Sequence, residues 1–172
     1  LEQLANHRGS AFGGQIDRQP TPVTFENELA LEILRHDKEC LVLEDESRTI
    51  GRLAIPESLF NKMKRAPIAL IDVSLSERVE HIHEEYIAQP ISSGVSTKQL
   101  SDHYLSALNR IKKRLGGARY AQLDKEISSA FEGSQSHHSW IEKLLTHYYD
   151  PMYQYQLSKK ETRTLRHFLQ IQ

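Results

Sequence analysis

Apolar residues recur at helical spacing at Phe25, Leu29 and Ile33, with Glu26, Glu28 and Glu32 on the other faces. That pattern predicts an amphipathic helix ending near Asp37. Cys40 to Leu43 is a short unbroken apolar run, the mark of a strand buried on both faces of a parallel sheet, and Cys40 at its start is expected to be a small core residue. Pro56 suits a first helical position, and Leu59, Phe60 and Met63 carry the helix that Pro67 stops. A second apolar run, Ile68 to Val73, predicts another strand. Ser74 and Glu77 then have capping-box spacing, ahead of a helix striped by Val79, Ile82 and Tyr86. Alternating strands and helices imply a parallel sheet with crossover helices, an α/β class.

After a loop at Gln89 to Gly94 the pattern becomes helical alone. Ser96 and Gln99 repeat the capping-box spacing, and the stripe Tyr104, Leu108, Ile111, Leu115 ends at Gly116-Gly117. Tyr120, Leu123, Ile127 and Phe131 form the next helix, ended by Gly133. Trp140, Ile141, Leu144, Leu145 and Tyr148 form a third, which Asp150-Pro151 is expected to end. Tyr153 and Tyr155 alternate with polar residues as in a short strand, and a last helix is expected near Glu161 to Leu169. The expected division is an α/β domain over residues 1–95 and a helical, basic region over 96–172. Residues 1 to 22 show no sustained period and read as a long functional loop.

Composition narrows the class. Of 172 residues, 38% are hydrophobic and 26% charged, with eight Gly and six Pro, as in an ordinary globular protein. The most apolar stretch, Ala66 to Val73, is interrupted by Asp72 and far short of the about 20 residues of a membrane span. One cysteine forms no internal disulfide, and nothing at the start reads as a secretion signal, so the cytoplasm is the expected location. The missing initiator methionine, with a motif at the first residues, leads us to expect further sequence ahead of Leu1. The net charge of −1 hides an asymmetry: ten Lys/Arg against sixteen Asp/Glu up to Thr97, then twelve against seven. The second part is the basic one.

Several clusters could carry chemistry. Asn6-His7-Arg8-Gly9-Ser10-Ala11-Phe12-Gly13-Gly14 combines a cation, an imidazole, a hydroxyl and glycines whose amides can approach an anion. His7, Arg8, Gly9, Ser10 and Gly13 are therefore candidates for phosphate. Glu44, Asp45 and Glu46 follow an expected strand, and Glu44 and Glu46 are candidates to orient Mg²⁺. Arg48 and Arg52 lie beside them and offer the guanidinium geometry that phosphoryl groups accept. Arg110, Lys112, Lys113, Arg114 and Arg119 cluster near Tyr120, a pattern that can follow a nucleic-acid backbone with a ring for stacking. A solvated face is the plain alternative for each. His81 with His83 and His137 with His138 lack helical chelate spacing, so zinc is not expected, and haem is not expected either. No Gly-x-x-x-x-Gly-Lys-Ser/Thr occurs, so ATP hydrolysis by these residues is not expected.

Ile71-Asp72-Val73-Ser74 through Arg78 resembles the strand-to-helix element of P-loop nucleotide kinases, in which a helix arginine can face the nucleotide. Over nearly the whole chain, a closer resemblance is carried by Leu1-Glu2-Gln3-Leu4-Ala5-Asn6-His7-Arg8-Gly9-Ser10-Ala11-Phe12-Gly13, Gln19-Pro20, Phe25-Glu26, Glu44-Asp45-Glu46-Ser47-Arg48-Thr49-Ile50-Gly51 and Tyr148-Tyr149-Asp150-Pro151-Met152-Tyr153. These residues resemble the tRNA 2-selenouridine synthase family. The resemblance implies a rhodanese-like domain with a catalytic cysteine and a Walker A sequence, both outside these residues. It implies a fold that is a partial P-loop NTPase-like parallel sheet followed by a mostly α-helical region. It also implies a transferase that replaces sulfur by selenium at a wobble 2-thiouridine of tRNA, through an S-geranyl intermediate, with geranyl diphosphate and selenophosphate as cosubstrates. The fragment alone is expected to be inactive. The alternatives are a phosphotransferase related to nucleotide kinases and a non-catalytic RNA-binding fragment.

Overall fold

The computed structural model describes residues 1–45 and 47–160, together with the backbone of 164–165. Contacts divide the chain into two compact units, Leu1–Ile68 and Ala69–Gln172. The division falls well ahead of the boundary expected at residue 95, because the helix starting at Leu75 packs against the one starting at His137.

In the first unit, α1 (Glu2–Ala5) ends at Asn6, which takes the left-handed conformation with φ 47° and ψ 46°, one that asparagine tolerates better than most residues. The chain then turns back on itself, so that His7 bridges Gly14 in antiparallel fashion. The segment expected as an open loop is thus a short helix and a closed turn. Helix α2 (Pro22–Arg35) starts where Thr21 accepts the Thr24 N–H and Pro22 needs no partner. Strands β1 (Thr49–Ile50) and β2 (Leu53–Ala54) pair antiparallel, Thr49 opposite Ala54 and Ile50 opposite Leu53. Helix α3 (Glu57–Met63) follows. Ala5, Phe25, Leu29, Ile50, Leu53 and Ile55 form the buried centre, with Leu59, Phe60 and Met63 packed on it.

The expected parallel sheet is not found among the described residues. Cys40 to Leu43 is unpaired, Cys40 is exposed, and Val42 is 85% exposed. Strand β3 (Ile68–Ala69) is two residues long, in a two-stranded sheet with β4 (Thr164–Leu165), and Leu70 and Ile71 beyond it are exposed. An apolar run becomes a strand only when a neighbour takes its backbone hydrogen bonds. The β1–β2 hairpin has that neighbour two residues away. Apart from β4, the helix expected over Glu161 to Leu169 lies outside the described residues.

The second unit is helical. Helix α4 (Leu75–His83) has the full capping box at Ser74 and Glu77, and α6 (Thr97–Leu115) repeats it at Ser96 and Gln99. Gly116 ends α6 at φ 87°, and α7 (Gly117–Phe131) follows at once. Between α4 and α6 the chain runs through a π turn, Glu84–Ala88, into α5 (Gln89–Ser92), so most of the expected loop is helix. Likewise α8 (His137–Leu144) continues through a second π turn, Leu145–Tyr149, into α9 (Asp150–Ser158).

The stop expected at Asp150-Pro151 is therefore passed, and Tyr153 and Tyr155 are helical rather than extended. Both prolines, Pro90 and Pro151, directly follow a turn in which the N–H bonds a carbonyl five residues back. The wide turn relieves the clash between a proline ring and the carbonyl four residues earlier. For Pro90 that carbonyl belongs to Tyr86, and the Tyr104 hydroxyl donates to it at 2.6 Å. Tyr104, Leu108 and Ile111 from α6, Leu123 and Ile127 from α7, and Trp140 and Ile141 from α8 are buried. No described helix is long and apolar enough to cross a membrane.

Candidate functional site

In the first unit, the candidate anion loop is knitted together by its own amides. Arg8 N donates to Gly13 O at 2.7 Å, Ser10 N to Arg8 O at 2.7 Å, and Gly13 N to Ser10 O at 3.0 Å. Gly9 N donates to Nδ1 of His7 at 3.1 Å, which leaves the ring proton on Nε2 when the imidazole is neutral. A side chain at Gly13 would meet the Arg8 backbone at 2.7 Å, so the turn closes only around glycine. The amides of Arg8, Gly9, Ser10 and Gly13 are thus bonded within the turn. Arg8 lines a pocket with Glu2, Gln3, Asn6 and Gln15.

Gln19 joins this loop to the hairpin. Its Nε2 donates to the carbonyls of Ala5 at 3.0 Å and Ile50 at 2.9 Å. Its Oε1 accepts the Arg52 N–H at 2.9 Å, and the Arg52 guanidinium donates to the Gln19 carbonyl at 2.6 Å. The His7 loop and Arg52, separate in sequence, thus share one neighbourhood. Gln19 figured in the sequence only as part of a motif; a half-buried amide with three backbone partners has no periodicity to reveal it. Arg48 is exposed at the entrance to the hairpin, where its carbonyl accepts the Ile55 N–H at 2.9 Å. Glu44 is exposed and lies 3.2 Å from the Leu1 amino group; Glu46 lies outside the described residues.

Arg78 belongs to the second unit, where Asp150 holds it in a two-pronged pair at 2.7 and 3.0 Å. The hydrogen bonds with Asp150, despite some desolvation, push the guanidinium pKa still higher. Both terminal nitrogens are committed to Asp150, which fastens α4 to α9 instead of presenting the arginine to an anion.

The basic candidates do converge. Arg110, Lys112, Lys113 and Arg114 occupy the last turns of α6, and Arg119 and Tyr120 the first turn of α7; all but Tyr120 are exposed. Lys112 Nζ sits 4.5 Å from the centroid of the Tyr120 ring, a cation–π contact that covers one face of the ring. Cations at the end of α6 also complement its dipole.

A histidine cluster was not legible as such in the sequence. His83 stacks on His138 with centroids 4.4 Å apart, and His137 lies 6.1 Å from His83. Burial, with His83 and His138 adding, pushes the His137 pKa down to about 4. Trp140 Nε1 also donates to its Nδ1 at 3.1 Å, which requires an unprotonated nitrogen. The folded-state value lies below the unfolded one, so the unfolded chain takes up the proton first. Stability is therefore full above pH 6.5 and declines as pH falls towards 4. Glu77 and Glu126, both held below the ordinary 4.5, add their loss only at lower pH. Denaturant unfolding should show a loss of about 1–2 kcal/mol between pH 7 and 4.5 after discounting for solvent screening, and His137→Gln should flatten that slope.

A family described as the tRNA 2-selenouridine synthase AAA domain matches residues 1–168. A tRNA 2-selenouridine synthase of Hydrogenovibrio crunogenus is 43% identical over 95% of this chain and 48% of its own length. The proteins of that name from Marinobacter nauticus and Shewanella oneidensis are 42% and 40% identical, over 96% of this chain and 49% and 48% of theirs. The chain spans about half the length of the curated relatives it matches. No solved structure matches it.

Proposed function

The chain belongs to the tRNA 2-selenouridine synthase family, and from that premise we propose that it is the tRNA-holding and anion-handling part of an enzyme converting wobble 2-thiouridine to 2-selenouridine. In this reading geranyl diphosphate supplies an S-geranyl intermediate and selenophosphate the selenium. Both cosubstrates present phosphate. Arg8, Arg48 and Arg52, with His7 beside them, are the side chains we assign to it, since cations fixed on a folded turn stabilise charge as a leaving group departs. Glu44, with Glu46, supplies the carboxylate donors that Mg²⁺ accepts. A bound Mg²⁺ would neutralise diphosphate charge there. The parallel sheet of a P-loop domain belongs to the same proposal.

The observation that carries tRNA binding is the grouping of five cations where α6 passes into α7. Such a patch neutralises backbone phosphates and releases their counterions. Replacing Lys112, Lys113 and Arg114 together by alanine should weaken tRNA binding about 10–100-fold near physiological salt. The slope of log affinity against log salt should fall by about 2–3. Filter binding across a salt series reads both, and unchanged affinity and slope would remove the patch from the tRNA site.

A further inference from the structure

Glu80 and His83 stand three residues apart on α4, a spacing that puts both side chains on one face. His138, in the first turn of α8, faces them. One donor atom from each of the three lies within 4.8 Å of the other two. His138 Nε2 is 2.9 Å from Glu80 Oε2, and its ring stacks on His83 at an interplanar angle of 26°. The other nitrogen of His138 is fixed from behind: Nδ1 is 3.0 Å from Ser136 Oγ, which also accepts the His138 N–H. Metal-binding histidines are characteristically held in this way by a partner on the second nitrogen.

We propose that Glu80, His83 and His138 form a binding site for a divalent transition-metal ion of the zinc class, joining α4 to α8. Two imidazoles and one carboxylate are the donor set that such ions take with an open fourth position. Donors around a tetrahedral zinc stand about 3.3 Å apart, so the cluster closes by movements of about an ångström in side chains that are exposed or half-buried. Glu80 is exposed and free to make that movement, and solvent supplies the fourth ligand. The Nε2 proton of His138, directed at Glu80 in the metal-free protein, leaves when the ion binds. Neither the His81–His83 pair nor the His137–His138 pair predicts this site, because its ligands come from a Glu-x-x-His on one helix and a single histidine on another.

Calorimetric titration of the protein with Zn²⁺ at neutral pH should give one ion per chain and a raised melting temperature. His83→Ala, His138→Ala and Glu80→Gln should each lower affinity by at least about tenfold. His81→Ala, on the exposed side of α4, should leave it unchanged. If a histidine variant does not fold, Glu80→Gln gives the reading, since its side chain lies at the surface. Absence of one-to-one binding, or binding that survives the Glu80, His83 and His138 replacements, overturns the proposal.

Discussion

Trp140→Ala should lower the unfolding free energy by about 3–5 kcal/mol, the cost of removing a large buried aromatic side chain. Trp140 is 2% exposed and sits among rings from three helices, with its centroid 6.0 Å from that of Tyr104 on α6 and 6.2 Å from that of His137. Tyr104 in turn contacts Phe131 of α7 at 6.2 Å. Alanine would leave a cavity that rigid helices fill poorly and would strip the His137 Nδ1 of its donor. Trp140→Phe keeps most of the apolar volume and loses only the N–H, so a cost of about 1–2 kcal/mol is expected. Urea denaturation followed by circular dichroism measures both. A cost below about 1 kcal/mol for the alanine variant would mean that the ring is not a packing centre.

Gly51→Ala should cost about 2–4 kcal/mol in the first unit, a penalty out of proportion to one added methyl. Gly51 opens the two-residue turn of the hairpin at φ +60°, a region side chains other than glycine's rarely adopt. Its added carbon would run into Gln19 Oε1 and stand 2.7 Å from His7 Cδ2. Gln19 must then withdraw, and the carbonyls of Ala5 and Ile50 and the Arg52 N–H lose a partner together. Gln19→Ala removes the same bonds without the turn strain and should cost less. Hydrogen exchange distinguishes a local effect: Arg52 N–H should lose protection while the amides of α6 and α7 keep theirs. Protection unchanged at Arg52 would show that Gln19 does not clamp the hairpin.

Helices whose signals are local were readable from the residues. Both capping boxes, the stripe from Tyr104 to Leu115, and the glycine stops at Gly116 and Gly133 involve contacts within a few residues, and each occurs where the pattern puts it. Strands were not, because Cys40–Leu43 says only that it is apolar and cannot say whether a neighbour lies alongside. Pro151 misled for a related reason: a proline stops an α-helix, but a widened preceding turn accommodates it. The basic cluster at α6 and α7 was legible because its members are close in sequence. Arg78 was not, since its partner Asp150 is 72 positions away, and the same distance problem hid Gln19's role and the meeting of His83 with His138.

The two π turns bear on how relatives of this chain vary in length. Each holds one residue more than a four-residue ladder requires, and a proline follows at the second position beyond it. Deleting one residue there would restore the ordinary ladder and drive the proline ring into the carbonyl four residues earlier. A homologue one residue shorter at either place is therefore expected to carry another residue in place of Pro90 or Pro151, or a kinked helix there. The single-residue gap and the loss of proline would then be inherited as one character rather than as two independent changes.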